Sequence, residues 1–289
     1  MEFYYPKAQV EKYQPIVENS LFLPLVDYML ENSQKQVILR ELKKQIPEKG
    51  LEKLIDKMIE TGLMKREERR YLLNFPVYKS VSKKIVQESA EKVADKLRQL
   101  APDKQLLFLG EKLWTYCFES SDDYFYATSL ERYFYEKREA GNDTLRFITI
   151  SQREKWSKTL PNYFVLQKKQ REIPQGLMEV ATLLGDVNES YYFDQVEMLI
   201  ERAQVGKLKS KRPNIFLDSL LKMQILTKEE EQFRLQVPLI EQSEGVEVTL
   251  PNIETQENDE TKGIFLRHFF YEAILDLLDL EEFSYILKN

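Results

Sequence analysis

The sequence predicts a mainly α protein with α+β character. Two units of three helices and a hairpin flank a small α+β middle region, and a helical tail closes the chain. Three observations carry this. Only 9 Gly and 11 Pro in 289 residues leave few turns for an all-β fold. With 43% apolar residues, 16 Tyr and 16 Phe, the chain can build two or three cores. It also matches itself: at an offset of 162 with no gap, Leu54–Tyr78 and Phe216–Ile240 are both apolar at 11 of 25 positions and identical at five. Chance would give about six shared apolar positions.

Each element follows from local pattern. In LFLPLVDYMLENS, Leu23, Val26 and Met29-Leu30 mark one face of a short helix. QVILRELKKQIP gives a brief β-branched start and a second helix with Leu39, Leu42 and Ile46 at helical spacing. Pro47 and Gly50 mark a turn, and GLEKLIDKMIETG is a third helix closed by Gly62. A charged turn and an alternating strand (Tyr71, Leu73, Phe75) complete the first unit, with Pro76 ending the strand. GLMEVATLLGD, YYFDQVEMLIERA and RPNIFLDSLLKMQ fill the same three slots later, before the strand Phe233, Leu235, Val237 and its Pro238.

Between the units, Ser80–Ala101 reads as an amphipathic helix with Val81, Ile85, Ala90, Val93 and Leu97 on one stripe. QLLFLG, YFYATS, LRFITIS and NYFVLQ read as four short strands, with helices at Glu111–Phe118 and Leu130–Ala140. The polar stretch from Glu241 to Gly263 reads as a linker, and Ile264–Leu287 as an ordered helical tail packed through its apolar face. The expected domains are an N-terminal unit at 1–79, a connecting helix and α+β region at 80–172, a second unit at 173–240, and an acidic linker with C-terminal helices at 241–289.

The order helix, helix, helix, charged hairpin, strand resembles the winged-helix superfamily over Leu21–Tyr78 and Ile173–Ile240. A second likeness rests on Gly185–Asn188 (GDVN) and Lys211–Pro213 (KRP). There the chain is similar to an uncharacterised family of lactic-acid bacteria, which implies no activity.

Residue chemistry favours binding over catalysis. One cysteine, Cys117, allows no intrachain disulfide, and MEFYYPKAQVEKYQP does not read as a signal peptide, so a cytoplasmic address is expected. No G-x-G-x-x-G or G-x-x-x-x-G-K-[ST] occurs. His268 has no evident nucleophile beside it, and Asp122-Asp123 reads as a solvated turn rather than a cation site. The aromatic run YFYATSLERYFYEKRE, with Arg132, Lys137 and Arg138, offers stacking for bases, although its alternation favours core packing. No cofactor or metal is implied.

Charge is unevenly placed. Glu241–Asn289 carries 12 acidic and 3 basic residues, a net of −9 against −6 for the chain, which leaves +3 on the first 240 residues. Winged helices that read DNA put the third helix in the major groove and the wing on the backbone. The first unit offers Lys49, Lys53 and Lys57 on that helix and Lys65, Arg66, Arg69 and Arg70 in the wing. Glu52, Asp56 and Glu60 interleave with the lysines, which is equally the pattern of a solvated helix with ion pairs. The second unit has Lys207, Lys209, Lys211 and Arg212 before its third helix, but an acidic wing at Glu229-Glu230-Glu231. Two readings stand: a non-enzymatic, DNA-binding or regulatory protein, and a protein-interaction or architectural module. The implied partners are double-stranded DNA, or a protein partner or second copy meeting the C-terminal helices, with no membrane.

Overall fold

The computed structural model describes residues 1–289 except 36, 81–82, 120–122, 131–134, 210–211, 231, 242–247 and 254–258, and the side chains at 83–85. The chain opens with β1 (Glu2–Tyr4), a 3-10 turn at Lys7–Gln9, α1 (Val10–Val17) and α2 (Phe22–Glu31). Then come β2 (Val37–Ile38), α3 (Leu39–Gln45), α4 (Leu51–Glu60), β3 (Met64–Glu67), β4 (Arg70–Leu73) and β5 (Val77–Tyr78). The middle holds α5 (Lys83–Leu97), α6 (Pro102–Leu107), a π-helical turn at Phe108–Leu113, α7 (Trp114–Phe118), β6 (Tyr126–Thr128), β7 (Tyr135–Gly141) and β8 (Leu145–Gln152). It continues with α8 (Leu160–Lys168), α9 (Gln175–Leu184), α10 (Glu189–Gln204) and α11 (Ile215–Lys222). The last elements are β9 (Leu226–Glu229), β10 (Gln232–Leu235), β11 (Leu239–Glu241), α12 (Glu260–Leu277) and β12 (Glu282–Lys288). The result is a mixed α+β chain, and none of its described helices is long and apolar enough to cross a membrane.

Two compact units divide it: Met1–Val86 with Thr115–Arg132 and Asn252–Phe269, and Gln87–Trp114 with Tyr133–Pro251 and Phe270–Asn289. In the first, α2, α3 and α4 turn Phe22, Leu25, Val26, Leu42, Leu54, Ile55 and Met58 into one core with Tyr71 and Phe75 of the hairpin region. Their three-to-four spacing is what places them on a common side. β2, β4 and β3 form an antiparallel sheet in that spatial order, and a separate sheet runs β1-β6-β5. Glu41 starts α3 by accepting the Ile38 N–H at 3.2 Å.

In the second unit α8, α9, α10 and α11 share a core with Phe147 of β8 and Phe233 of β10. A four-stranded sheet runs β11-β12-β8-β7. Arg138 is only 4% exposed. Its guanidinium donates to Glu136 at 2.9 Å, to Asn162 Oδ1 at 3.2 Å and to the Lys155 carbonyl at 2.9 Å, and it lies 4.1 Å from the Trp156 ring centroid. Those bonds are what make a buried cation tolerable.

The two hairpins correspond residue by residue at an offset of 162. Met64 pairs Leu73 and Arg66 pairs Tyr71 in one; Leu226 pairs Leu235 and Lys228 pairs Phe233 in the other. Leu63 N–H donates to Met58 O at 2.8 Å, and Ile225 N–H to Leu220 O at 3.0 Å. Arg66 stands 5.7 Å over the Tyr71 ring and Lys228 5.8 Å over Phe233. The correspondence runs on through the prolines: Pro76 O accepts from Ala127 N–H at 3.0 Å, Pro238 O from Ile286 N–H at 2.8 Å. Each following strand, β5 or β11, then joins a sheet in parallel. They differ in one respect: among the described residues the second hairpin has no third strand such as β2.

Several expected elements are corrected. QLLFLG is helical, from α6 into the π turn, because Pro102 near the start of α6 preorganises a helix that a continuous apolar run cannot distinguish from a strand. NYFVLQ lies in α8, where Thr159 accepts the Asn162 N–H at 3.4 Å; this helix is buried nearly all round, so it shows no amphipathic stripe. Leu130–Ala140 is not a helix: Tyr135–Gly141 is β7, paired with β8, while residues 131–134 lie outside the described ones. Its charged composition favours helix, but pairing of the whole stretch with β8 overrides that preference. The tail is helical only to Leu277; Glu282–Lys288 is β12, an inner strand between β11 and β8. On α5, Ala90, Val93 and Leu97 are buried as expected, whereas Val81 lies outside the described residues and the Ile85 side chain is likewise not described. Of the expected linker, residues 242–247 and 254–258 lie outside the described set; Glu241 ends β11, Val248 and Ile253 are buried, and from Glu260 the chain is already in α12.

Candidate nucleic-acid interface

α4 carries Lys53 and Lys57 outward because Leu54, Ile55 and Met58 point into the core. Lys49 precedes Gly50, whose φ of 104° lets the chain turn sharply into the helix. No side chain caps that helix start, so its first N–H groups are left to an outside acceptor. Lys43, Lys49 and Lys53 line a shallow depression at this turn, with Ile46, Pro47 and Glu48. Lys43 was missed from sequence alone; the Pro47–Gly50 turn folds the end of α3 back beside α4, where Lys43 meets Glu52 at 2.5 Å.

In the hairpin Glu68 and Arg69 form a two-residue turn with φ of 47° and 68°, the left-handed pair that suits a tight antiparallel connection. Lys65, Arg66 and Arg69 are exposed and Arg70 half-buried. Pairing puts Lys65, Glu67, Arg70 and Leu72 on one face of the sheet, with Ile38 opposite Arg70. That face points away from the core side chains Met64 and Tyr71. Leu72 and Ile38 are each 39% exposed there. Among the described residues none of Lys49, Lys53, Lys57, Lys65, Arg66, Arg69 or Arg70 is ion-paired, whereas Glu52, one of the interleaved acids, is taken by Lys43.

The second cluster is arranged differently. Lys207, Lys209 and Arg212 are exposed, and Lys211 lies outside the described residues. The α11 start is already occupied: the Asn214 side chain accepts from Phe216 N–H at 2.9 Å and Leu217 N–H at 3.3 Å. Glu229 in its hairpin binds Arg234 at 3.0 Å.

The other expected centres have structural partners. His268 is buried, its Nδ1 2.5 Å from the Tyr126 hydroxyl, with its ring stacked 4.7 Å from Phe118. Cys117 is buried and its thiol pKa is pushed well up by that burial, the reverse of activation. Asp123 accepts from Lys12 at 2.6 Å and Tyr13 at 2.9 Å, and Asp122 lies outside the described residues. Tyr124, Phe125 and Tyr126 are core residues, not a stacking platform; Tyr133, Phe134 and Arg132 lie outside the described set. Lys137 is half-buried and ion-paired with Glu111 at 3.1 Å and Glu139 at 2.9 Å. Among the described residues no group of three or more His, Cys, Asp or Glu side chains could hold a metal ion.

Residues 2–101 match the family model described as a domain of unknown function, DUF1803. The DUF1803 match takes in the first three-helix unit, its hairpin and α5, and so every basic residue of the first cluster. The Gly185–Pro213 stretch lies outside it. Neither a curated protein nor a solved structure matches the chain.

Proposed function

We propose that the chain is a non-enzymatic, cytoplasmic, DNA-binding or regulatory protein built on two winged helices, and that the first of them holds double-stranded DNA. The winged-helix reading is supported by the order helix, strand, helix, helix, hairpin over Phe22–Leu73 and its β2-β4-β3 sheet. Duplication of one ancestral unit is supported by the shared hairpin register and the shared proline bonds at an offset of 162. The observation that carries the DNA reading is the set of seven cations on α4, the turn before it and its hairpin, none of them in an ion pair among the described residues, next to a helix start that no side chain caps. Phosphate backbones need such cations and N–H groups. The second unit lacks this arrangement, since Asn214 caps α11 and its hairpin is acidic.

Fluorescence anisotropy with labelled duplexes at low salt tests this reading. Binding should weaken steeply with salt. Combined Arg66→Glu, Arg69→Glu and Arg70→Glu should lower affinity for every sequence and flatten the log–log salt slope by about 2–3. Lys207→Glu with Lys209→Glu should change little. No binding at low salt, or an unchanged slope in the triple variant, would overturn it. A protein-contact role for the same hairpin is the second reading, favoured by the exposed Ile38 and Leu72 beside Lys65 and Arg70. It predicts that Leu72→Glu abolishes a protein interaction while DNA binding is nil.

A further inference from the structure

We infer that the chain is two related halves, each closed by the last helix of the other, so that each half carries a docking surface for its own kind. The inference extends the duplication reading above and does not involve DNA. Element for element the halves run alike. β1, α1, α2, α3, α4, the first hairpin and β5 answer to β8, α8, α9, α10, α11, the second hairpin and β11. Sheet order repeats as well: β1-β6-β5 in one, and β8-β12-β11 in the other with β7 added at its edge. In both, the last strand of the half pairs antiparallel with the first strand and parallel with the one after the hairpin.

Residue numbers keep step through the closing elements. Val77 pairs Ala127 and Tyr78 pairs Thr128; Leu239 pairs Ile286 and Ile240 pairs Leu287. Ala127 and Ile286 are 159 apart, and each donates its N–H to the proline after its own hairpin. The helix before the strand obeys the same offset. Pro102–Phe118 runs unbroken through α6, the π-helical turn and α7, and Phe118 stands 159 residues before Leu277, where α12 ends. Tyr126 and Tyr285, again 159 apart, are both fully buried. α5 has no counterpart among the described residues of the second half.

The compact units do not coincide with these halves. The first unit takes Asn252–Phe269 from the second half, and the second unit takes Gln87–Trp114 from the first. Each strand tyrosine therefore meets the other half's helix. The Tyr126 hydroxyl lies 2.5 Å from His268 Nδ1, and Tyr285 donates to Glu111 at 2.6 Å. In the first unit Phe265 also stacks on Tyr78 at 4.3 Å, and His268 on Phe118 at 4.7 Å. In the second, Tyr285 packs on Gly110, Tyr271 donates to Leu109 O at 3.3 Å, and Trp114 meets the Tyr271 ring edge-on at 5.4 Å. Reciprocal exchange of equivalent elements is the geometry of a swapped two-fold dimer. Joining both copies in one chain keeps the partner always at hand. Without the borrowed helix, Tyr78 and Tyr126 in one unit and Tyr285 in the other lose their apolar cover, so neither half is complete alone.

Hydrogen exchange read by mass spectrometry on the full chain tests this, with thermal melts confirming that each variant folds. Phe265→Ala, in the second half, should speed exchange in β1, β5 and β6 about tenfold or more and spare α9, α10 and α11. Glu111→Ala, in the first half, should speed β8, β11 and β12 and spare α2, α3 and α4. Phe265→Leu keeps the comparison readable if the alanine variant does not fold. A protease site inserted after Ser129, exposed just beyond β6, allows the folded chain to be cut between the halves. The two pieces should stay together as a 1:1 complex on size exclusion, and Phe265→Ala should raise their dissociation constant about tenfold or more. Pieces that part on cleavage overturn the inference. So do variants whose effects stay within the half that carries them. Neither readout uses DNA, so this inference and the nucleic-acid reading fail separately.

Discussion

At residue scale, Gly110 decides between two opposed effects. An alanine inside a helix normally gains about 0.5–1 kcal/mol over glycine. Here a Cβ would fall 2.1 Å from the Tyr285 hydroxyl oxygen and 2.6 Å from a ring carbon. Tyr285 is fully buried and donates to Glu111 at 2.6 Å, so it has no room to retreat. The π-helical turn at Phe108–Leu113 places that glycine directly against the ring. Gly110→Ala should therefore destabilise by about 1–3 kcal/mol, the usual cost of overpacking a filled site. Urea unfolding of the variant measures this, and a gain in stability would show that Tyr285 moves aside freely.

At the scale of elements, what the sequence made legible were features with a local cause. α2, α3, α4, α9, α10 and α11 announce themselves by helical apolar spacing and by turn residues such as Pro47, Gly50 and Gly185. Both hairpins follow from a charged turn between apolar strands. Misread elements were those whose state depends on distant partners. β7 is a charged stretch that becomes a strand because β8 pairs with it, and β12 completes a sheet with β8 and β11. Within the candidate interface, Lys53, Lys57, Lys65 and Arg70 could be anticipated from their positions opposite the core side chains, whereas Arg66 shares the face of Tyr71. Lys43 could not, since only the α3–α4 turn brings it to the depression. β12 also gives the sharpest test at this scale. Phe283, Tyr285, Ile286 and Leu287 are buried, each worth about 1.5–3 kcal/mol, so together they rival the ~5–15 kcal/mol that holds a domain folded. Truncation after Leu280 removes them and leaves β11 without a neighbour. The second unit should then lose its fixed tertiary structure, read as collapse of its dispersed NMR signals. Retention of those signals would show the strand to be an accessory.

For the whole molecule, the common thread is the 16 tyrosines, several of them buried in one unit or the other. Burial pushes the Tyr124 pKa up to about 12, and raises those of Tyr13, Tyr116 and Tyr163. Tyr192 is raised further by burial despite its 2.7 Å bond with Ser219. Tyr285 is raised by burial and then by the Glu111 carboxylate its hydroxyl meets. The unfolded chain has no such protection, and its tyrosines ionise near about 10. Above that pH the unfolded chain sheds phenolic protons that the folded one keeps. Stability is therefore intact below about pH 10 and lost progressively as pH rises toward the folded values. Lys12, raised chiefly by its hydrogen bond to Asp123, acts with the same sign, because its pair is lost as the ammonium deprotonates. Denaturant titrations at about pH 9 and pH 11 should show a clear fall in unfolding free energy. Phenolate absorbance should rise in two stages, with the buried tyrosines ionising only as the protein unfolds. If all the tyrosines ionise in one step near about 10 while the fold persists, burial is not holding their protons.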